Sequence, residues 1–511
     1  MKNICKNPGS KEILPPVIIL LFTIITRFHK LTGSMRMPFT DRTFGSNGVD
    51  EGIFLMTGKL VSEGYRMYSD VNTQQGPLFS FVFSAIGGDP FGARFITATI
   101  AVIGVATLFY ISKRLGNTRT AVISSLFLAS NYLFFKESRH VSFDLYSAVF
   151  LLLGFAAIMI YYDFLKDDRS LSNIKTIATI TIAGVLLSMA AMSKLFAVIP
   201  TFFLGAYMLV DCFKKDRGAK LFHVVILVIS TLITTILLMS IFGPANTLEG
   251  MLLDNLNRPD MSLGDKAEPF GQFLLYALIP IILSIVAIKK DHRKKDTRLM
   301  MIWFVPLFIY LVIQSPIWDH YFVLLVPPVS YLGGKGFDLL SDNPSNGSDH
   351  RDMKDRIRRK NAISSTLFII GIVYIVITTG ITTAFTVTAE DPIQERIGED
   401  IGSLTSEGDF IISGDPLIGV YADRLQPPQA TNLAMVRYPE LTDRDLINIT
   451  REYNITLVIF TYHLSNYDIY HDFIQSNYKF LGTYDRKGDF SSTGEELGKE
   501  TFSVYIKRSR G

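Results

Sequence analysis

The chain has 511 residues, 48% of them hydrophobic, and a net charge of only +3. The apolar residues fall into separate runs near the ~20 residues needed to cross a hydrocarbon core, which excludes a water-soluble globular protein. The basic residues sit in short clusters between those runs and report topology, so no nucleic-acid partner is expected, and two cysteines, Cys5 and Cys212, leave neither a disulfide framework nor a zinc cluster.

The first stretch, Met1 to Lys30, has a basic start and an apolar core but no small-residue cleavage pattern, which predicts an uncleaved span over 13–33. Apolar runs near 92–112, 120–135, 143–162, 176–193, 195–212, 221–243, 269–288, 299–314, 321–339 and 362–386 predict ten more, eleven in all. With the N-terminus inside, the basic clusters, led by those at 289–298 and 350–360, fall on the inner face. The positive-inside rule therefore places the N-terminus in the cytoplasm and everything after the last span outside a multi-pass cell membrane protein.

Residues 76–88 hold only about a dozen apolar positions, too few to span. Counting them as a span would also put the basic 112–119 segment on the wrong side. They read as an interfacial or re-entrant helix within an outer loop over 34–91. Beyond 386 the chain turns polar, with strand-like runs at 409–414, 457–462, 478–484 and 502–508. Helical patterns separate the first three, one starting at Thr442 with Asp445 three residues on, a capping-box signal. The fold class expected is a polytopic α-helical membrane protein with a small extracytoplasmic α/β C-terminal domain, 1–386 and 387–511. The sequons at Asn448 and Asn454 would face outside, and the one at Asn346 inside.

The outer loop opens its first amphipathic stretch with two adjacent carboxylates, Asp50 and Glu51. Ile53, Phe54, Met56 and Leu60 fall on one helical face, which predicts a helix lying on the membrane surface. The bland reading is a helix start, with Asp50 as N-cap and Glu51 a favourable charge in the first turn. Asp144 falls just inside a span, where a charge needs a partner, and Arg139 or His140 is the nearest in sequence.

The ordered set Asp50, Glu51, Gly64, Tyr68, Pro77, Leu78, Arg94, Arg139 and Asp144, then the segment around Lys194 and the His320-Tyr321 pair, resembles the GT-C superfamily of membrane glycosyltransferases over about residues 15–335. The resemblance is to the branch that holds the dolichyl-phosphate-mannose protein mannosyltransferases, the aminoarabinose transferase of lipid A and the rhizobial lipopolysaccharide sugar transferases. It implies a GT-C-like fold and an inverting transfer of a sugar from a polyprenyl-phosphate donor to a protein, lipid or glycan acceptor at the outer membrane face.

That reaction needs a base for the acceptor hydroxyl and cations for the departing phosphate. Asp50 is the candidate base, with Glu51 orienting it or touching the sugar. Arg139, His140, Lys194, His320 and Tyr321 are candidates for the phosphate, and Arg94, Asp144, Tyr68, Gln74 and Gln75 complete the substrate-binding set. Arg139 and Lys194 read equally well as snorkelling from span ends, and His320 as a neutral interfacial histidine.

Gln74 and Gln75 stand where the lipid A branch has a charged pair. Glutamine hydrogen-bonds sugar hydroxyls but neither acts as a base nor holds a divalent cation strongly, so no metal or other cofactor is expected. The loop at 244–268 is too short for the large outer insertion of the eukaryotic mannosyltransferases, which points to a prokaryotic envelope enzyme. A transporter or flippase would show duplicated halves or charges at mid-membrane, neither of which the sequence carries. That class and a non-catalytic scaffold of the same fold stay open as alternatives.

Overall fold

The computed structural model describes residues 10–33, 48–167, 174–213, 217–256, 260–341, 351–433, 441–461, 463–464, 467–485, 489–492 and 501–508. The Asn346 sequon lies outside the described residues. Eight helices among them are long and apolar enough to cross a membrane: Pro90–Leu115, Phe143–Leu165, Ile174–Ser193, Leu195–Cys212, Lys220–Ser240, Leu263–Asp291, Lys295–Ile313 and Ser365–Val387.

The other three expected spans take a different form. The first is a shorter apolar helix, Leu14–Phe28. The run at 120–135 breaks at Asn131, whose extended backbone ends helix Thr118–Ser130 while its side chain accepts the Phe134 N–H and starts helix Tyr132–Glu137. The run at 321–339 opens as a 3-10 helix, Asp319–Leu325, and continues as the α-helix Val326–Ser341. That helix is buried because its glycines admit neighbours: a Cβ on Gly333 would lie 3.0 Å from Pro280 Cα, and one on Gly334 would meet Ser124.

The chain divides into two compact units, one of Met1–His29, Thr97–Thr235 and Met261–Thr386, the other of Lys30–Ile96, Ile236–Asp260 and Val387–Gly511. The first is a helical bundle. The second holds helix Gly48–Ser62, the short helix Pro77–Ser84 and a C-terminal α/β layer. At eight residues Pro77–Ser84 is ~12 Å long, far short of a membrane.

The α/β layer is a sheet of β1 (Ile411–Ser413), β2 (Leu457–Phe460), β3 (Tyr478–Tyr484), β4 (Phe490–Ser491) and β5 (Phe502–Lys507) in the order β1-β2-β5-β3-β4. Strands β1 and β2 are parallel and the remaining pairs antiparallel. The period of two sorts the strand residues between faces. Ile411, Leu457 and Ile459 pack with Ile397, Ile401 and Ile418 of helices Ile393–Leu404 and Pro416–Tyr421. Ile412, Val458 and Phe460 pack with Leu446, Ile449, Tyr470 and Ile474 of helices Asp443–Glu452 and Asp468–Asn477. Thr442 and Asp445 form the full reciprocal capping box.

Helix Gly48–Ser62 corrects one expectation. It does not lie on a membrane surface with one apolar face: Ile53, Phe54, Leu55, Met56 and Leu60 are all buried, and so are Glu51 and Thr57. Small residues let it be enclosed, since a Cβ on Gly58 would sit 2.8 Å from Phe83 Cβ and one on Gly52 3.0 Å from Leu417 Cα. Both neighbours belong to the same unit, and Leu417 is more than 350 residues away in sequence.

Candidate active site

In the unit that holds the α/β layer, the two adjacent carboxylates part company. Successive residues of a helix point ~100° apart, so Asp50 is exposed while Glu51 is 1% exposed. Arg94, at the start of helix Pro90–Leu115, grips Glu51 bidentately, Nε donating to Oε1 and Nη2 to Oε2, each at 2.7 Å. Its remaining nitrogen donates to the carbonyls of Leu31 and Thr32. The fork of charge-assisted bonds fixes the first turn of helix Gly48–Ser62 and commits Glu51 to Arg94. Asp50 is left facing solvent.

Tyr68, Gln74 and Gln75 gather at a different turn of this unit. Tyr68 adopts a positive φ of 73°, donates its hydroxyl to the Gln75 carbonyl at 2.7 Å and stands edge-on to Phe242 at 6.3 Å. A non-glycine residue held at positive φ is worth a functional reading. The Gln74 carbonyl accepts from Asn255 Nδ2 at 3.0 Å, and the buried Gln75 Oε1 has no hydrogen-bond partner among the described residues.

Two residues of the α/β layer that sequence reasoning missed feel the charge of the acidic pair. Asp415 caps helix Pro416–Tyr421, accepting from Leu417 N at 3.1 Å and from Gln394 Nε2 at 3.0 Å. Burial pushes its carboxyl up to about 6, the Glu51 charge adds to the rise, and the two hydrogen bonds oppose it. His463 is partly buried, which lowers its basicity, and the negative charge of Asp50 acts in the opposite sense. Asp415 followed by Pro416 was a readable helix start; nothing local marked His463.

The helical unit holds the cationic candidates. Asp144 lies in the first turn of helix Phe143–Asp167, where the helix dipole favours a carboxylate. Its partners are not the expected Arg139 or His140 but Lys194, at 3.3 Å, and His320, at 3.8 Å. The reason is tertiary: the turn after helix Ile174–Ser193 and the 3-10 helix Asp319–Leu325 carry those side chains to it. The Lys194 ammonium also stands 4.7 Å from the centre of the Tyr321 ring and 5.7 Å from that of Phe196, a cation–π arrangement. Asp144 Oδ1 is buried with no hydrogen-bond partner among the described residues.

The rest of the cluster joins His140 and His320 to Lys136, Glu137 and Asp319, which had not been picked out from the sequence. Lys136 pairs with Asp319 at 2.7 Å, and Glu137 faces His140 at 3.3 Å while accepting from Ser142 Oγ at 2.5 Å. His320 Nδ1 lies 3.6 Å from Asp319. Arg139 reaches the end of another helix. It is buried, and its Nη1 donates to the carbonyls of Thr26 and His29 at 2.8 and 3.0 Å, closing the C-terminal end of helix Ser10–Phe28. No group of three or more His, Cys, Asp or Glu able to hold a metal ion occurs among the described residues.

Residues 78–251 match the family model for dolichyl-phosphate-mannose-protein mannosyltransferase. No curated protein sequence matches the chain. Among solved structures, ArnT from Cupriavidus metallidurans bound to undecaprenyl phosphate is similar with a TM-score of 0.62 at 13% identity, over 98% of this chain and 98% of that one. The apo oligosaccharyltransferase of Archaeoglobus fulgidus gives 0.58 at 13% identity, over 98% of this chain and 77% of that one. AglB of the same organism, in complex with an inhibitory peptide and a dolichol-phosphate, gives 0.53 at 13% identity, over 98% and 76%. At such identity the likeness is one of fold.

Proposed function

We propose, from the premise that this membrane-spanning chain has the fold of the GT-C glycosyltransferases, that it moves a sugar from a polyprenyl-phosphate carrier to an acceptor hydroxyl at the outer membrane face, with inversion at the anomeric carbon. The observation that carries the reading is the division of labour between two adjacent carboxylates: Glu51 is spent on Arg94, and Asp50 is left exposed at the head of a buried helix. A carboxylate so held is pre-positioned to remove a proton without being tied up in a salt bridge.

In this reading Asp50 takes the proton of the acceptor hydroxyl as its oxygen attacks the anomeric carbon. The bond from that carbon to the phosphate oxygen breaks, and its electron pair leaves with the lipid phosphate. The phosphate departs with more charge on its oxygens than the diester carried, so cations held in advance lower the barrier. Lys194, kept in place by Asp144 and the Tyr321 ring, supplies that charge with Lys136 as the second ammonium, and His320 and His140 beside them offer N–H donors to the phosphate oxygens. Arg139 serves as the cap of helix Ser10–Phe28. The undecaprenyl phosphate and dolichol-phosphate bound by the structural relatives support a lipid-phosphate donor. Charge asymmetry of the loops supports an N-terminus inside and a C-terminal domain outside.

The test is transfer of radiolabel from a polyprenyl-phosphate sugar by purified protein. Asp50→Asn keeps the size and capping ability of the side chain and removes its basicity, so transfer falls by roughly 10²- to 10⁴-fold. Normal transfer by a correctly inserted Asp50→Asn protein would return Asp50 to the role of a helix cap.

A further inference from the structure

Helix Tyr132–Glu137, which carries Lys136 into the charged cluster, has only six residues. So short a helix makes too few backbone bonds to hold its own direction, and what grips its ends decides where its side chains point. Asn131 fixes the start, its Nδ2 donating to the Tyr276 carbonyl at 3.0 Å. The other grip comes from Arg27, on helix Ser10–Phe28 of the same unit.

Arg27 is fully buried. The break at Asn131 ends helix Thr118–Ser130 and leaves the Ala129 carbonyl among the last four, which a helix cannot satisfy from within. Arg27 Nη2 donates to it. Nε donates to Ser138 Oγ at 3.1 Å, directly after the last residue of helix Tyr132–Glu137, and that hydroxyl donates in turn to the Phe135 carbonyl at 2.6 Å. The guanidinium carbon stands 5.2 Å from the centre of the Phe135 ring. One planar fork thus touches the chain before, within and after the six-residue helix, a reach that a lysine or glutamine lacks.

The third nitrogen, Nη1, donates to Thr26 Oγ1 at 2.7 Å, so all three serve neutral oxygens, and no carboxylate pairs with Arg27 among the described residues. A charge kept in the apolar helix Leu14–Phe28 without a counter-ion is costly and reads as functional.

We propose that Arg27 is a positioning residue for the donor end of the site: by bracing helix Tyr132–Glu137 it sets the Lys136 ammonium, 2.7 Å from Asp319, where the lipid phosphate arrives. This rests on the reading of Lys136 as a phosphate-binding ammonium. Misplacing such a group by about 1 Å costs up to roughly 100-fold.

The test is equilibrium binding of undecaprenyl phosphate to the full-length protein in detergent, with denaturant unfolding of each variant alongside. Lys136→Gln weakens binding roughly 10- to 100-fold, the size of one charge-assisted hydrogen bond. Arg27→Gln weakens it roughly 10-fold in the wild-type background and by less than about twofold in Lys136→Gln, because the group it aims is gone, whereas its loss multiplies with that of Lys194→Gln. Arg27→Lys keeps the charge but not the fork and binds as weakly as Arg27→Gln. Unchanged affinity in Arg27→Gln with lowered stability, the mark of a merely structural arginine, overturns the proposal. So does an equal loss with and without Lys136, or wild-type affinity in Arg27→Lys, either of which marks a distant charge. Where Arg27→Gln does not fold, Ser138→Ala removes one arm of the fork and shows the same dependence on Lys136. Wild-type binding by Lys136→Gln takes away the phosphate role of Lys136 and this proposal with it, while a weakened Lys136→Gln beside an unaffected Arg27→Gln overturns this proposal alone.

Discussion

Glu51→Gln isolates what the Arg94 pair contributes. Both side chains are buried, at 5% and 2% exposure for Arg94 and Glu51, and the pair is closed by two bonds of 2.7 Å. Removing the charge of Glu51 leaves the Arg94 guanidinium buried with neutral acceptors only, the Leu31 and Thr32 carbonyls and the substituted amide. Breaking one side of a buried pair costs about 3–5 kcal/mol. The surviving carbonyl bonds put this site at the lower end, about 3 kcal/mol, or roughly 100-fold in the unfolding constant. Denaturant titration in detergent, followed by circular dichroism, reads the loss directly. The double variant Glu51→Gln with Arg94→Gln removes both charges and so recovers part of that loss, whereas Asp50→Asn, on an exposed side chain, leaves the transition where it was. Wild-type stability in Glu51→Gln, or a double variant no more stable than the single one, would refute the argument that this pair anchors the helix.

Neutralising the lipid-phosphate candidates separates them. Lys194→Gln weakens binding of polyprenyl phosphate by a few kcal/mol at most, the size of a charge-assisted contact, and Arg139→Gln lowers stability instead; equilibrium binding and unfolding of each variant distinguish the two roles. Asp415, raised from 3.8 to about 6 chiefly by burial, binds its proton more tightly folded than unfolded. Its contribution to stability is therefore fully present below about pH 4 and is lost as pH rises through about 6, on the order of 3 kcal/mol in all. Comparing wild type with Asp415→Asn across that window shows a gap that changes with pH, and a constant gap would contradict it. A cysteine placed between 387 and 433 reacts in intact cells with a membrane-impermeant thiol reagent and one placed at 351–360 does not; the reverse pattern would invert the proposed orientation.

The elements that could be read locally were those whose signal lies within one window. Eight of the eleven expected spans are helices of spanning length because a run of apolar residues near 20 long has few other uses. The run at 120–135 deceived because Asn131 caps a new helix from inside an apolar stretch, and periodicity does not register a single capping side chain. Four of the five strands of the C-terminal layer were legible from short β-branched and aromatic runs, while the two-residue β4 was too short to leave such a run, and Thr442 was legible from its partner three residues on.

The residue types of the candidate site were also visible in the sequence, as carboxylates and cations at the edges of apolar runs. Their pairing was not, since it depends on distances that span much of the chain. Asp144 meets Lys194 and His320, Glu51 meets Arg94, and Gly52 meets Leu417. A carboxylate's environment, whether locked against a guanidinium or open to solvent, is set by which distant segment folds onto its face of the helix. By itself, then, the sequence determined a membrane-spanning helical chain with a small α/β domain and an acidic pair at the head of one helix. Only the tertiary structure decided that Glu51 is an anchor, that Asp50 is exposed, and that helix Gly48–Ser62 is enclosed rather than lying on a surface, because burial and charge pairing arise where segments meet.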